Sequence, residues 1–290
     1  MSAAPVALAG PRAGSRFRRR FARRPVAVVG LVGVITVVVV AIFAPLIAPY
    51  DAAASDYSAI LQPPGTPGHL LGTDDIGRDM FSRLVVGTRA SITAGVFATA
   101  LAMVLAVPVG MVAGYYRGWI DPVVSRVTDV VLSFPFLILA VGLAAILGPS
   151  LTNATIALAV AQIPMFVRIA RGEVLGLREQ EYVQAAIVNG APSRTILLRH
   201  MLPNILSPLI VQATVAIPAA IIGAAVLSFL GLGVQPPTPA WGTMLSDAQQ
   251  YVTQAPWFAT FPGLAIAITT LSFNLFGDGL RDVLDVRMRS

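Results

Sequence analysis

The sequence has no cysteine and no lysine, and all 20 of its basic residues are arginine. Without cysteine there is no disulfide framework, no thiolate nucleophile and no cysteine-based metal site. Without lysine there is no phosphate-binding lysine of a P-loop. The two histidines, His69 and His200, are far apart and have no ligand-like spacing around them. We therefore expect no metal, no cofactor and no ATPase site in this chain.

Charged residues are also scarce. They make up 12% of the chain, against about 25% in a soluble domain, while 56% of the residues are hydrophobic. The mean hydropathy is +0.77. This composition indicates an integral membrane protein. The net charge of +6 comes from arginines whose distribution marks membrane topology, so no nucleic-acid partner is expected.

Long uncharged runs predict an all-α, polytopic transmembrane helical bundle, because about 20 apolar residues cross a bilayer as a helix. The charge-free run at residues 130–167 is too long for one helix, and Gly148-Pro149-Ser150 is expected to divide it. About six spans result: residues 26–47, 91–114, a third beginning near 122, a fourth ending near 167, 200–229 and 257–277.

The arginines place both termini on the same side of the membrane. Counted along these spans, 17 arginines fall on the side of the N-terminus and three, Arg78, Arg83 and Arg89, on the other. Positive residues accumulate in cytoplasmic loops, so a multi-pass membrane protein with both termini in the cytoplasm is expected. The use of arginine throughout in place of lysine suggests a GC-rich bacterial genome, and so the bacterial cytoplasmic membrane. The first span has 22 residues, more than the roughly 7–15 of a signal peptide, and is expected to remain as an anchor.

This topology divides the chain into five parts. They are a basic cytoplasmic tail (1–25), a first transmembrane helix (26–49), an extracytoplasmic loop (50–90), a five-helix core (91–280) with a cytoplasmic loop at 168–203, and a cytoplasmic C-terminal tail (281–290). Small residues in the core predict close helix contacts, at Gly110, Gly142 and Gly223. Prolines in the core predict kinked helices, at Pro108, Pro135, Pro164 and Pro218.

The cytoplasmic loop contains a polar stretch, EYVQAAIVNGAPSRTILLRHMLPN, at residues 181–204. Its first part predicts a helix, and the side chains on one stripe at helical spacing are Tyr182, Ala185, Ala186 and Asn189. Gly190 predicts the end of that helix, because glycine adopts the left-handed cap conformation at little cost. Pro192 suits the first turn of a second helix. Two interpretations remain open: a docking element for a cytoplasmic partner, or a hairpin on the headgroups with Arg194 and Arg199 touching lipid phosphate.

The same stretch resembles the EAA loop of ABC importer permeases, whose pattern is E-A-A, three residues, G, nine residues and I-x-L-P. The matching positions are Gln184-Ala185-Ala186, Gly190 and Leu202-Pro203. Two positions depart from the pattern, since Gln184 replaces the leading Glu and His200 stands in place of Ile. Three further stretches resemble the C-type permeases of dipeptide, oligopeptide and nickel importers: HLLGTDDIGRDMFSRLVVGTRAS (69–91), LSFLGLGVQPPTPAWGTML (227–245) and NLFGDGLRDVLDVR (274–287).

This resemblance implies the type I ABC importer permease fold and a set of partners. The chain would pair with a homologous B-type permease, dock on two cytoplasmic ATPases that bind ATP and Mg, and receive cargo from an extracytoplasmic substrate-binding protein. It would not be an enzyme itself, whereas the whole complex would be an ATP-hydrolysing translocase. The residues implied in ATPase coupling are Glu181, Gln184, Ala185, Ala186, Gly190, Arg194, Arg199, Leu202 and Pro203.

The resemblance favours di- or oligopeptides as substrate, with nickel or another small solute as the alternative. The residues themselves argue against two other functional classes, a proton-coupled carrier and an intramembrane hydrolase. A proton-coupled carrier usually has ionisable residues deep in the membrane, and the predicted spans are nearly bare of them. An intramembrane hydrolase would need an HExxH or GxSxG motif or paired intramembrane carboxylates, and the sequence has none of these.

For two smaller groups of residues, the sequence leaves two alternative roles open. Arg126 and Asp129 lie three apart near the start of the third span and are expected to pair along one helix face. With Pro135 they form either a boundary ion pair or a gate or subunit contact. In the first outer loop, Asp74, Asp75, Arg78, Asp79 and Arg83 form either an ion-pair cluster that folds the loop or a rim that contacts the binding protein. Trp241, in a rigid proline-rich loop, is a second candidate for that contact.

Overall fold

The computed structural model describes residues 21–288, with side chains to residue 284, and these residues form helices and loops with two isolated bridges. The predicted basic tail lies outside the described residues up to residue 20, as do the last two residues of the C-terminal tail. The helices are α1 (Pro25–Ile47), α2 (Met80–Tyr116), α3 (Ile120–Leu132), α4 (Phe136–Leu147), α5 (Leu151–Arg178), α6 (Glu181–Val188), α7 (Ser193–Thr195), α8 (Leu202–Phe229), α9 (Trp241–Ala248) and α10 (Pro256–Met288).

The predicted all-α bundle of about six spans is confirmed. Five of its helices are long and apolar enough to cross a membrane: α1, α2, α5, the continuous stretch Ser193–Phe229, and α10. The sixth is the pair α3 and α4, which pass the same test together but are bent by 89°.

The third span is broken, which corrects the expectation of one helix. Helix α3 ends at Leu132, and Pro135 occupies the N-cap of α4 with φ −56° and ψ 131°. Proline has no backbone N–H and disfavours helical geometry at the residue before it. Pro135 therefore lies at the break, whereas Pro108, Pro164 and Pro218 lie inside their helices, as predicted.

Helix α2 begins at Met80, well before the predicted start near residue 91. Its N-cap is Asp79, whose carboxylate accepts a hydrogen bond from the backbone N–H of Ser82 at 2.8 Å. A side-chain cap of this kind satisfies a donor that the first helical turn leaves unpaired. The last part of the predicted loop 50–90 is therefore helix.

The centre of the bundle is the contact between α2 and α5. Every fourth residue of α2 is small and buried in the main core, namely Ala94, Ala98, Ala102 and Ala106, and α5 contributes further buried alanines. At Gly110 a Cβ atom would lie 2.6 Å from the carbonyl oxygen of Val167, so the two backbones touch. Small residues allow membrane helices this close approach.

The predicted packing role is found within this chain at Gly110 and Gly223 but not at Gly142. An added Cβ at Gly223 would meet the Leu158 side chain at 2.6 Å. At Gly142, on α4, a Cβ would meet no atom within 4 Å, because this face of α4 is open.

Gly110 and Gly142 give a matched test of the α2–α5 contact. Gly110→Ala is expected to destabilise the protein by about 1–3 kcal/mol, because the new methyl group overlaps a backbone that has no room to move. Gly142→Ala makes the same chemical change in open space and should leave stability unchanged or slightly raised. The measurement is the thermal unfolding midpoint in detergent. Equal shifts for the two variants would contradict the packing described above.

Candidate functional site

Residues 181–204, called here the hairpin segment, join α5 to α8. The predicted first helix is α6. The predicted second helix begins at Ser193, passes through a π-helical turn at Ile196–Met201 and continues into α8 without a break. It is therefore the first part of a membrane-spanning helix rather than a separate short one.

Gly190 closes α6 as predicted. Its φ is +75°, in the left-handed region that favours glycine. The N–H of Gly190 donates to the carbonyl of Ile187, and the N–H of Ala191 donates to the carbonyl of Ala186, both at 3.0 Å. This pair of bonds is the Schellman motif, which satisfies the last carbonyls of a helix. The turn is thus fixed by its own backbone.

The inner side of the hairpin segment is anchored in the core. Val183, Ile196 and Met201 are fully buried and belong to the main core, together with Val174 of α5. The side-chain amide of Gln184 donates to the carbonyl of Arg178 at 2.7 Å, which satisfies a carbonyl at the end of α5. The amide that replaces the expected Glu therefore holds the joint between α5 and α6.

The outer side of the segment is an exposed tip. Of the predicted stripe, Tyr182, Ala185 and Asn189 are exposed and Ala186 is half-buried. Val188, which the sequence did not single out by itself, is 85% exposed beside the turn. Valine is normally a core residue. Only its position directly before the C-terminal cap of α6 could have indicated that it is exposed.

The other residues implied in coupling lie on both sides of the segment. Glu181, Arg199 and Pro203 are exposed and Leu202 is half-buried. Arg194 is exposed and lines a groove against α2. Asn204, not singled out in the sequence, donates from its amide to the hydroxyl of Tyr182 at 3.2 Å and so links the two arms of the hairpin.

Ion pairs connect the end of α5 to the region between α2 and α4. Arg168 pairs with Asp129 at 2.7 Å, Arg171 with Asp121, and Glu179 with Arg117 at 2.5 Å. The expected pair between Arg126 and Asp129 is wrong: α5 brings Arg168 to Asp129, while Arg126 faces outwards and has no ion pair among residues 21–284. Exposed pairs such as Arg168–Asp129 contribute little stability each. Their importance is that they set the position of the end of α5 relative to α3.

A second polar group lies at the opposite end of α2. The carboxylate of Asp74 is fully buried and accepts from the guanidinium of Arg78 at 2.5 Å, and Arg83 lies 3.2 Å from it. Asp247 of α9 approaches Arg78 and Arg83 at 3.5 and 3.7 Å. The predicted ion-pair cluster is therefore present, and it also ties the loop to α9.

The alternative role of these residues was a rim that contacts the binding protein. Most of the side chains are buried, which argues against that role. Asp74, Arg78 and Asp79 are buried, and Asp79 is occupied in capping α2 and in a 2.9 Å contact with the His69 ring. Trp241 is 2% exposed, and its indole N–H donates to the carbonyl of Leu84 at 3.1 Å. These side chains hold the outer end together and offer no surface to a partner. Asp75, also named for the rim, remains partly exposed.

Two carboxyls of the cluster titrate abnormally. Burial raises the pKa of Asp75, and the neighbouring Asp74 carboxylate raises it further. Burial also raises the pKa of Asp247, although Arg83 and Arg78 oppose this. A carboxyl whose folded-state pKa is raised is favoured in its protonated form, so these two groups destabilise the fold above that pKa, and this penalty is relieved as the pH falls through it.

The described residues hold no group of three or more His, Asp or Glu side chains that could bind a metal ion. Ion pairs and hydrogen bonds connect the side chains of the two polar regions. One end of α2 carries a folded outer cluster, and the other carries the anchored hairpin segment with its exposed tip.

Comparison with known families matches most of the chain. Residues 106–290 match the family described as binding-protein-dependent transport system inner membrane component, and residues 13–64 match the N-terminal transmembrane domain of oligopeptide transport permease C. The dipeptide transport system permease protein DppC of Alkalihalophilus pseudofirmus is 46% identical over 94% of this chain and 89% of its own. That of Haemophilus influenzae is 42% identical over all of both chains.

A relative that is named for another substrate has a comparable sequence identity to this chain. The glutathione transport system permease protein GsiD of Pectobacterium atrosepticum is 44% identical over 94% of this chain and 91% of its own. Among solved structures, an inward-facing form of the MetNI methionine ABC transporter matches with a TM-score of 0.58 at 21% identity, over 70% of this chain and 97% of that chain. This likeness shows the fold, that of the type I ABC importer permeases.

The outer cluster gives a direct prediction. Asp74→Ala is expected to destabilise the outer end by about 3–5 kcal/mol, because it leaves two buried guanidinium groups without their central carboxylate. Asp51→Ala is the matched control, since that carboxylate is exposed and, among the described residues, accepts only from the N–H of Ala53. Unfolding midpoints and proteolysis of residues 50–79 measure the effect. If Asp74→Ala behaves like Asp51→Ala, the cluster does not hold the loop.

Proposed function

The chain belongs to the binding-protein-dependent transport system inner membrane component family, and on that premise we propose that it is the C-type permease subunit of an ATP-driven importer of di- or oligopeptides. The observation that carries the substrate class is the similarity, at 42–46% identity across nearly the whole chain, to permeases named for dipeptides and for glutathione. Glutathione is itself a tripeptide, so these names share a chemical class. Nothing in the described residues favours the nickel alternative.

The energy for transport enters through the hairpin segment. This chain has no lysine and no P-loop pattern, so ATP and Mg are bound by partner ATPase subunits. The exposed tip formed by Tyr182, Ala185 and Val188 is a small, mostly apolar surface at the end of the bundle. A groove on an ATPase subunit of matching shape would bury it.

The anchoring of this tip makes it suitable for transmitting a displacement. The Schellman turn fixes the tip, and Val183, Ile196 and Met201 join it to the core. Because the second arm runs without interruption into α8, movement of the tip moves a membrane-spanning helix. An element with separate, flexible arms would lose the displacement in its joints.

A second, homologous permease completes the pathway against the open face of α3 and α4. Support comes from the 89° bend at Pro135, the open space at Gly142 and the outward-facing Arg126, which has no ion pair with the side chains described up to residue 284. Asp129, held by Arg168, lies beside this face. A bent, unpaired pair of helices at a subunit boundary is suited to a gate.

The binding protein delivers cargo at the opposite end of the bundle. With the ion-pair cluster buried, the outer surface of the loop is formed by exposed side chains such as Tyr57 and Leu70. This end is extracytoplasmic and both termini are cytoplasmic in our assignment. The clustering of Arg117, Arg168, Arg171 and Arg178 at the hairpin end supports that orientation in a bacterial cytoplasmic membrane.

Coupling through the hairpin segment is tested at Gly190. Gly190→Val forces a β-branched residue into the left-handed region, at a cost of roughly 1–2 kcal/mol or more that the segment relieves by unwinding the cap. Peptide uptake per ATP hydrolysed, measured with the reconstituted complex, is expected to fall about tenfold or more while membrane insertion remains normal.

The control is Gly176→Val, the same substitution on α5, where an added Cβ meets no atom within 4 Å and φ is helical. Assembly of each variant with its partners is checked by size-exclusion chromatography. Unchanged uptake per ATP in Gly190→Val, with the complex intact, would refute the coupling role, and reduced uptake in both variants would show a general defect of this end.

A further inference from the structure

An open groove of about 590 Å³ runs between the last part of α2 and the stretch from the hairpin segment into α8. Its walls are almost entirely apolar. The side chains along its two walls include Met103, Val107 and Met111 on α2, and Leu198, Leu202 and Leu209 on the other side. In an isolated chain this is a large unfilled apolar surface.

The polar side chains of the groove lie together at one end. α2 and the Ser193–Phe229 stretch run in opposite directions, so the end of α2 at Tyr116 meets the start of the other wall at Arg194. Arg194 is exposed and has no ion pair or side-chain hydrogen bond within residues 21–284, whose side chains the structure describes. Tyr116 is half-exposed at the same level. A tyrosine and an arginine at one end of an apolar surface are typical of the membrane–water interface.

The length of the groove matches one leaflet of a bilayer. From Met103 to Tyr116 the α2 wall is about 20 Å long at 1.5 Å per residue. The hydrocarbon of one leaflet is about 15 Å thick, half of the roughly 30 Å core. The groove therefore extends from the headgroup level to near the bilayer centre.

We propose that this groove binds one anionic phospholipid, with an acyl chain along the leucine and methionine walls and its phosphate at Arg194. The guanidinium presents paired N–H donors that suit phosphate oxygens. An apolar helix from a partner chain would fill the walls equally well, but it would leave the exposed Arg194 guanidinium at the headgroup level without an anionic partner. A phosphate compensates that charge. This inference goes beyond the proposed transport function, since it concerns a lipid and not the cargo.

The first experiment measures lipid binding to the intact importer complex by native mass spectrometry, with phosphatidylglycerol and phosphatidylethanolamine added separately. We expect Arg194→Gln to weaken phosphatidylglycerol binding about fivefold and to leave phosphatidylethanolamine binding nearly unchanged. Arg194→Lys should retain the preference for the anionic lipid. Leu206→Trp, which fills the groove, should weaken the binding of both lipids.

The matched control is Arg199→Gln, which removes the same charge from the same segment at an exposed position outside the groove. Equal losses in Arg194→Gln and Arg199→Gln would overturn the site in favour of general electrostatic attraction. The spectrum itself reports whether each variant complex is assembled. Lipid binding that Leu206→Trp leaves intact would also overturn the proposal.

The second experiment identifies the occupant in the native membrane. A photoreactive phenylalanine analogue is placed at Val104, an exposed residue of the α2 wall. Irradiation of the assembled complex is expected to give an adduct with the mass of a phospholipid. A crosslink to another protein subunit would instead identify a protein occupant and overturn the proposal.

Discussion

The closeness of α2 and α5 is the constraint on which the rest of this structure depends. At Gly110 and Gly114 there is no space for a Cβ atom between each glycine and a carbonyl oxygen of α5. The stripe of buried alanines on α2 continues this contact towards the other end. In a membrane the hydrophobic effect does not drive helices together, so contact of this kind, through small residues, supplies much of the packing.

This contact gives the two ends of the bundle a fixed relation. At one end, α2 enters the buried cluster of Asp74, Arg78 and Arg83. At the other, α5 carries the hairpin segment, and the pairs of Arg168 and Arg171 with α3 hold its last turns in place. A displacement imposed on the hairpin tip therefore reaches α8 directly and α5 through packed side chains. Functional coupling needs such a rigid path, whereas a loosely packed bundle would absorb the movement.

The sequence predicted what depends on local rules. The number of spans follows from apolar length, and the end of α6 at Gly190 follows from the conformational freedom of glycine. It could not predict contacts between distant residues: Asp129 pairs with Arg168, 39 positions away, and not with its neighbour Arg126. The presence of a charge in the sequence also does not show whether that side chain is exposed or buried. The outer-loop carboxylates looked like surface groups, but Asp74 lies in the interior because two guanidinium groups accompany it.

The central claim is that an ATPase subunit contacts the exposed tip of the hairpin segment. Because the chain has no cysteine, Val188→Cys introduces a single thiol at that tip. Crosslinking in the assembled complex, with Tyr57→Cys at the opposite end as reference, tests the contact directly. The account predicts an adduct between Val188→Cys and an ATPase subunit, none for Tyr57→Cys, and loss of uptake once the tip is linked. Absence of that adduct, or labelling of Val188→Cys by a membrane-impermeant thiol reagent added outside the cell, would contradict it.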